Sequence, residues 1–206
     1  MPAAAPYTCP MSAVETEVKF RVEDMRALEE RLRGLGFRAL TAATFERNTL
    51  YDTPNRKLRE RRSILRIRKY GDRWLLTHKR VPDDHDPAAR HKRRVETETE
   101  VADGDALGAV FCQLGYEPVF IYEKWRAEYA DETGHCVLDE TPIGAYAELE
   151  GPAEWIDAVS ARLGLDPASL ITLSYGRLFE DWREATGSPA RDMTFQAVSG
   201  SAQRAG

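Results

Sequence analysis

Charged residues in this chain recur at every second position and sort by sign. Glu15, Glu17 and Lys19 form one such row, Arg66 and Arg68 another, and Lys79 shares its spacing with Leu75 and Thr77. Arg94, Glu96, Glu98 and Glu100 follow, then Lys124, Arg126 and Glu128, and last Glu148 and Glu150. Side chains alternate faces along a β-strand, so each row predicts a strand with one charged and one apolar face. Val14, Thr16, Val18 and Phe20 oppose the first row, Leu65 and Ile67 the second, and Trp125, Ala127 and Tyr129 the fourth. Rows of Arg and Lys suit a polyanion, because guanidinium forks match phosphate oxygens. Rows of carboxylates suit a hard cation, and Mg²⁺ is commonly held by one or two carboxylates together with a substrate's phosphates. One ligand meets both needs: a metal-bound triphosphate.

An open antiparallel sheet with one wet face shows the same alternation. Two features point instead to an inward charged face. A solvated face mixes its polar residues, whereas Glu-x-Glu and Arg-x-Arg pairs recur here. Helices must also cover the apolar face, so the charged face of a closed sheet turns inward. Burying an ion costs several kcal/mol, on the order of 3–5, when it is left unpaired. Mutual pairing, water in a tunnel and a bound ligand offset that cost.

The elements that would position these rows read as follows. A strand over Val14–Val22 leads to a helix capped by Asp24, with Met25, Leu28, Leu32 and Leu35 at helical spacing and Gly34 and Gly36 at its end. Phe37–Tyr51 is strand-like, and Asp52-Thr53-Pro54-Asn55 is a turn. Ser63–Lys69 and Arg73–Arg80 flank a tight turn, and Val81–Arg90 reads as a mobile loop. Arg93–Val101 is a strand, and a helix capped by Asp103 or Asp105 ends near Gly115. Strands follow at Val119–Ala130, Cys136–Asp139 and Ala145–Glu150, with helices from Pro152 to Leu163 and from about Ser174 to Glu184. Val22-Glu23-Asp24, Leu28 and Leu35-Gly36-Phe37 recur at one constant offset as Val101-Ala102-Asp103, Leu107 and Leu114-Gly115-Tyr116. Two copies predict a pseudo-two-fold α+β domain rather than a solenoid.

The chain has 206 residues, enough for one domain with a real core. The domain is expected over residues 13–186, between a disordered N-terminus at 1–12 and a disordered tail at 187–206. A net charge of -5 argues against an electrostatic grip on nucleic acid. Cys9, Cys112 and Cys136 make an odd set with no C-x-x-C spacing, which disfavours a disulfide framework or zinc. No signal peptide or membrane-length apolar run is visible, so the expectation is a cytoplasmic protein, monomer or homodimer, without nucleic-acid or membrane partners.

Glu15-Thr16-Glu17-Val18-Lys19 resembles the N-terminal E-x-E-x-K motif of the CYTH family, the triphosphate tunnel metalloenzymes. The order of later motifs strengthens the resemblance. Leu65-Arg66-Ile67-Arg68 is similar to the family's paired arginines, Lys79 to the lysine of the next strand, and Arg94-Val95-Glu96 to its R-x-E strand, with Glu98 competing for that carboxylate. Lys124-Trp125-Arg126, Leu138-Asp139, Glu148-Leu149-Glu150 and Ser174-Tyr175 complete it over roughly residues 14–183. The resemblance implies an eight-stranded antiparallel β-barrel with flanking helices. It implies Mg²⁺ or Mn²⁺ at Glu15, Glu17, Asp139, Glu148 and Glu150. It assigns a small-molecule triphosphate to Lys19, Arg66, Arg68, Lys79, Arg94, Lys124 and Arg126. Each position also fits a plain cross-strand ion pair.

The family includes triphosphatases and class IV adenylyl cyclases, and both reactions fit these motifs. Metal-dependent hydrolysis of inorganic, thiamine or nucleoside triphosphate is the first reading, because it demands less of the site. Conversion of ATP to cyclic AMP and pyrophosphate is the alternative, and a non-catalytic polyphosphate- or nucleotide-binding module is a third. Lys19 is the candidate catalytic residue, taking the nucleophile's proton if crowding by cations lowers its pKa. In several triphosphatase members a tyrosine stands where this chain has Leu50, and it is thought to work with the motif lysine. Tyr51 follows here, but on the other face.

Overall fold

The computed structural model describes residues 13–86 and 88–202. Eight strands alternate with six helices: β1 (Ala13–Arg21), α1 (Met25–Gly34), β2 (Arg38–Asp52), α2 (Lys57–Glu60), β3 (Ile64–Tyr70), β4 (Arg73–Arg80), β5 (Lys92–Val101), α3 (Gly104–Gln113), β6 (Glu117–Ala130), β7 (His135–Thr141), β8 (Gly144–Glu150), α4 (Ala153–Arg162), α5 (Tyr175–Thr186) and α6 (Phe195–Ala202). The strands close into an antiparallel barrel in the order β1-β5-β4-β3-β2-β6-β7-β8. Exchanging the first four strands with the last four maps this ring onto itself, so the sequence repeat is a true pseudo-two-fold.

Both repeats start their helix the same way. Asp24 accepts from Ala27 N at 3.0 Å and Asp103 from Ala106 N at 2.9 Å, which settles the second cap on Asp103. Both helices end on a glycine at positive φ, Gly36 at 94° and Gly115 at 87°, where a side chain would be strained.

The apolar core lies outside the barrel wall. Val18 and Phe20 of β1, Leu138 of β7 and Ala147 and Leu149 of β8 pack under Leu28 and Leu32 of α1 and Ile156 and Val159 of α4. Each fully buried side chain of this kind contributes about 1.5–3 kcal/mol. That core carries a barrel whose interior face is charged. A second apolar cluster forms at one end, where Tyr175, Leu178 and Phe179 of α5 meet Tyr122 of β6, Tyr146 of β8 and the partly buried Leu50 and Phe120. Leu50, Phe120, Tyr122 and Tyr146 share the inward parity of their strands, so α5 seals this end of the barrel.

Two barrel strands outrun their neighbours, and C-terminal segments fill the gaps. Lys19 exchanges backbone hydrogen bonds with Ile171 at 2.9 and 2.7 Å. On β6, whose pairing with β7 begins only at Trp125, Met193 bonds Ile121 and Glu123 at 2.9 and 3.0 Å. This corrects the expected disorder from residue 187. Met193 is fully buried, Asp192 accepts from Ile121 N at 2.8 Å, and α6 follows. The segment is poor in apolar residues, but an unpaired strand edge supplies backbone partners that composition does not reveal. Residues 1–12 and 203–206, the rest of the two expected disordered ends, lie outside the described residues. Among the described residues no helix is long and apolar enough to cross a membrane. The irregular segment after β4 is strapped by Arg93 to Asp84 at 3.0 Å and by His91 to Asp157 at 3.0 Å.

Candidate active site

The barrel brings the alternating rows together on its inner face, with burial deepening toward α5. Lys19, Glu46, Asn48, Lys124, Asp139 and Glu148 are buried, whereas Glu15, Lys79, Arg94 and Glu96 are partly exposed. The five carboxylates that the resemblance groups as metal ligands separate into two sets.

Glu15, Glu17 and Glu150 form the first set, each offering an oxygen within 4.8 Å of the others. The register explains their meeting: β1 runs beside β8 with Glu17 opposite Glu150, and Glu15 lies one alternation away. Burial, then the charges of Glu148, Glu15 and Glu17, push the Glu150 carboxyl up to about 8. Burial likewise raises Glu15, against the pull of Lys79. Burial would raise Glu17 too, but Lys92, Lys19 and Lys79 hold it down to about 2. Three converging carboxyl groups, two of them raised chiefly by burial, are the donor set a hard divalent cation takes.

Asp139 and Glu148 form the second set, and their oxygens are already taken. Asp139 accepts from Lys124 Nζ at 2.9 Å, from Arg126 Nε and Nη2 at 2.7 and 2.6 Å, and from Tyr175 Oη at 2.6 Å. Glu148 accepts from Lys19 Nζ and from Arg126 Nη2, the latter at 2.8 Å. Neither has room for a metal while these bonds stand; both anchor the basic side chains.

The seven basic positions all reach the interior. Arg66 donates to Thr77 and to Tyr122 Oη, the latter at 3.1 Å. Lys79 pairs with Glu15 at 2.6 Å and Glu96 at 2.9 Å. Glu98 accepts from Thr77 Oγ1 at 2.7 Å and so serves the basic row, whereas Glu96 touches both Lys79 and Glu15 and borders the three-carboxylate set. Arg68 stands 3.8 Å from Glu46, and burial with Arg62 beside it lowers Arg94 against the pull of Glu17. Lys19 is corrected. Burial would lower its pKa, but Glu148 and Glu17 raise it above the usual lysine value. The partners that raise it are carboxylates, not the cations expected from the sequence.

Five inner-face residues were given no site role by the sequence reading. Glu46 and Asn48 sit on β2 beyond the register shifts between Ala39 and Thr44, which break the alternation a reader would follow. Lys92, which pairs with Glu17, shares the parity of Arg94 but precedes the strand start expected at Arg93. Tyr122 shares parity with Lys124 and was legible. Tyr175 comes from a helix; its ring lies 4.5 Å from Lys19 Nζ and 4.7 Å from Lys124 Nζ. Leu50 packs toward α5 while Tyr51 points outward onto Phe111, ring to ring at 5.2 Å.

With this geometry in view, the similarities to known proteins take their place. The CYTH domain profile matches residues 13–161. A Methanocaldococcus jannaschii protein named as a putative adenylate cyclase is 28% identical over 138 residues, 66% of this chain and 76% of that protein. A Vibrio parahaemolyticus structure, also described as a putative adenylate cyclase, superposes with a TM-score of 0.70 at 21% identity, covering 82% of this chain and 99% of that one. A Hippeastrum structure, titled as a putative adenylyl cyclase with a dominant triphosphatase activity, gives 0.58 at 19% identity, covering 81% and 95%. The two structures share the fold; the profile, spanning most of the barrel, carries the assignment. The chain belongs to the CYTH domain family.

Proposed function

We propose that the protein is a divalent-metal-dependent phosphohydrolase acting on a triphosphate. One observation carries this reading: Lys19, Arg66, Arg68, Lys79, Arg94, Lys124 and Arg126 share the inner face of the barrel with a separate, convergent carboxylate set, Glu15, Glu17 and Glu150. Mg²⁺ or Mn²⁺ held by those three would neutralise phosphate charge. The chain's own part is to bind and orient. Lys19, Lys124 and Arg126, held by Asp139 and Glu148, present fixed positive charge at the closed end, and Arg66 and Lys79 do so further out. Such preorganised charge is worth most where water is excluded, and phosphoryl transfer depends chiefly on positioning and charge.

Among the described residues, the inner face away from the cluster of Leu50, Phe120, Tyr122 and Tyr146 offers charged groups, and α5 covers that apolar cluster, which supports hydrolysis over cyclisation. The relatives named for adenylate cyclase keep conversion of ATP to cyclic AMP as a second reading. Product analysis decides between them. ATP, inorganic triphosphate and thiamine triphosphate are each incubated with Mg²⁺, Mn²⁺ or chelator. Orthophosphate released only with metal is the expected result, and cyclic AMP would replace this reading with the second. Tight triphosphate binding without turnover would make the barrel a binding module.

A further inference from the structure

Glu46 Oε2, Asn48 Oδ1 and Arg68 Nε are buried and have no hydrogen-bond partner among the described residues. Buried polar atoms in folded proteins are nearly always partnered, so three together call for a physical account. They belong to one patch of the inner wall. Glu46 and Asn48 share the inward face of β2, Asn48 stands opposite Arg68 on β3 and opposite Tyr122 on β6, and Arg68 Nη1 lies 3.8 Å from Glu46 Oε2. The amide orientation is fixed, because Asn48 Nδ2 donates to Glu46 Oε1 at 2.9 Å and leaves the carbonyl oxygen free. Lys124 holds that same Oε1 at 3.3 Å.

Two acceptors and one donor are what this patch leaves open. A phosphate does not fit, since its oxygens would face two acceptors. A divalent cation does not fit beside Arg68 and Lys124. A water molecule matches this set of groups: it gives one proton to each acceptor and takes a hydrogen bond from the donor, once the closely packed side chains part enough to admit it. That arrangement leaves one lone pair free, in a cavity lined by phosphate-binding cations.

We propose that Glu46, Asn48 and Arg68 hold the water that attacks the terminal phosphorus of the triphosphate, an inference that rests on the phosphohydrolase reading above. The water's free lone pair bonds to phosphorus as the bridging P–O bond breaks, and the leaving oxygen keeps the bonding pair. For inorganic triphosphate the products are orthophosphate and diphosphate. One water proton stays on the orthophosphate. The other ends on the diphosphate, exchanged through solvent once the new P–O bond has formed, so charge and protons balance. Glu46 and Asn48 thereby orient the nucleophile without holding the phosphates.

The test uses the full chain carrying Asn48→Ala, Asn48→Asp or Glu46→Gln, with inorganic triphosphate as probe. Asn48→Ala is expected to lower kcat by about a hundredfold, as misplacing a reactant does, with KM changed by less than about threefold. Asn48→Asp, which keeps an acceptor oxygen at the site, is expected to recover part of kcat. A high-resolution crystal structure of the unsubstituted protein should show a water bonded to all three atoms, and this readout stands even where a variant fails to fold. An unsubstituted protein that hydrolyses triphosphate while Asn48→Ala keeps its kcat would overturn the inference alone. A patch without that water would do the same. An unsubstituted protein that hydrolyses no triphosphate overturns the phosphohydrolase reading itself.

Discussion

Arg126 grips Asp139 with two parallel hydrogen bonds, Nε to Oδ1 at 2.7 Å and Nη2 to Oδ2 at 2.6 Å, and the same Nη2 reaches Glu148 at 2.8 Å. One guanidinium thus ties β6 to β7 and β8 on the buried inner face of the barrel. Asp139→Asn would leave Arg126 and Lys124 short of their carboxylate, and breaking a buried pair costs about 3–5 kcal/mol. The variant should unfold at correspondingly lower urea in chemical denaturation. A loss under 1 kcal/mol would mean that Glu148 and Glu46 already neutralise these cations.

Acid should destabilise the protein through the same interior. Burial would raise Glu46, but Lys124, Arg68 and Arg126 hold it well below the ordinary carboxylate value of 4.5. Glu17 is held to about 2 by its lysines in spite of burial. Groups depressed in the folded state stabilise it fully above their unfolded value and lose that contribution as pH falls through the folded one. The contribution of these two groups should therefore be complete above about pH 5 and be lost toward pH 2, while the raised Glu150 works the other way between about pH 5 and 8. Urea midpoints measured between pH 7 and 3 check this, and Glu46→Gln should flatten the slope.

Metal binding should release a proton. Burial and neighbouring carboxylates keep the Glu150 carboxyl protonated up to about pH 8, whereas a cation at Glu15, Glu17 and Glu150 requires it ionised. Mn²⁺ affinity should rise with pH up to about 8 and then level off. Calorimetry at pH 7 in buffers of different ionisation enthalpy measures the released proton directly. Heats that do not depend on the buffer would contradict the linkage.

Met193→Ala should act far beyond what its place near the C-terminus suggests. The side chain is fully buried against Tyr122 and α5, and truncating a buried methionine costs about 2–5 kcal/mol. Thermal unfolding should register it. Because Tyr122 accepts from Arg66 at the inner wall, triphosphate affinity should weaken as well.

The barrel was legible because its chemistry and its architecture use one period. Alternation that placed Arg66 beside Arg68 also told which face of β3 meets the core, and Asp24 and Asp103 announced both repeat helices. Partnership was less legible than position. Glu15 and Asp139 look alike in sequence, yet strand register puts one with Glu17 and Glu150 and the other under four donors. No local pattern carries that difference, because it depends on pairing between distant strands. The ordered segment around Met193 was hidden for a related reason: its partner is the exposed edge of β6, a backbone feature with no residue signature. The proton affinity of Lys19 was misjudged because its neighbours, Glu148 and Glu17, were not yet in place.

The helix α5 lies across one end of the barrel, so under the proposed function a triphosphate would enter from the other end alone. A linear phosphate chain must go in tip first, and whatever it carries at its other end stays at the rim. Selection for that attached group therefore falls to partly exposed residues such as Lys79, Arg94 and Glu96, while the deep residues sense only phosphate. A chain capped at both ends has no tip to offer, and a long polymer cannot be threaded through. Traffic in such a cul-de-sac would be last in, first out: under the proposed function the tip phosphate, placed against Lys19 and Lys124, would leave only after the fragment behind it had cleared the way.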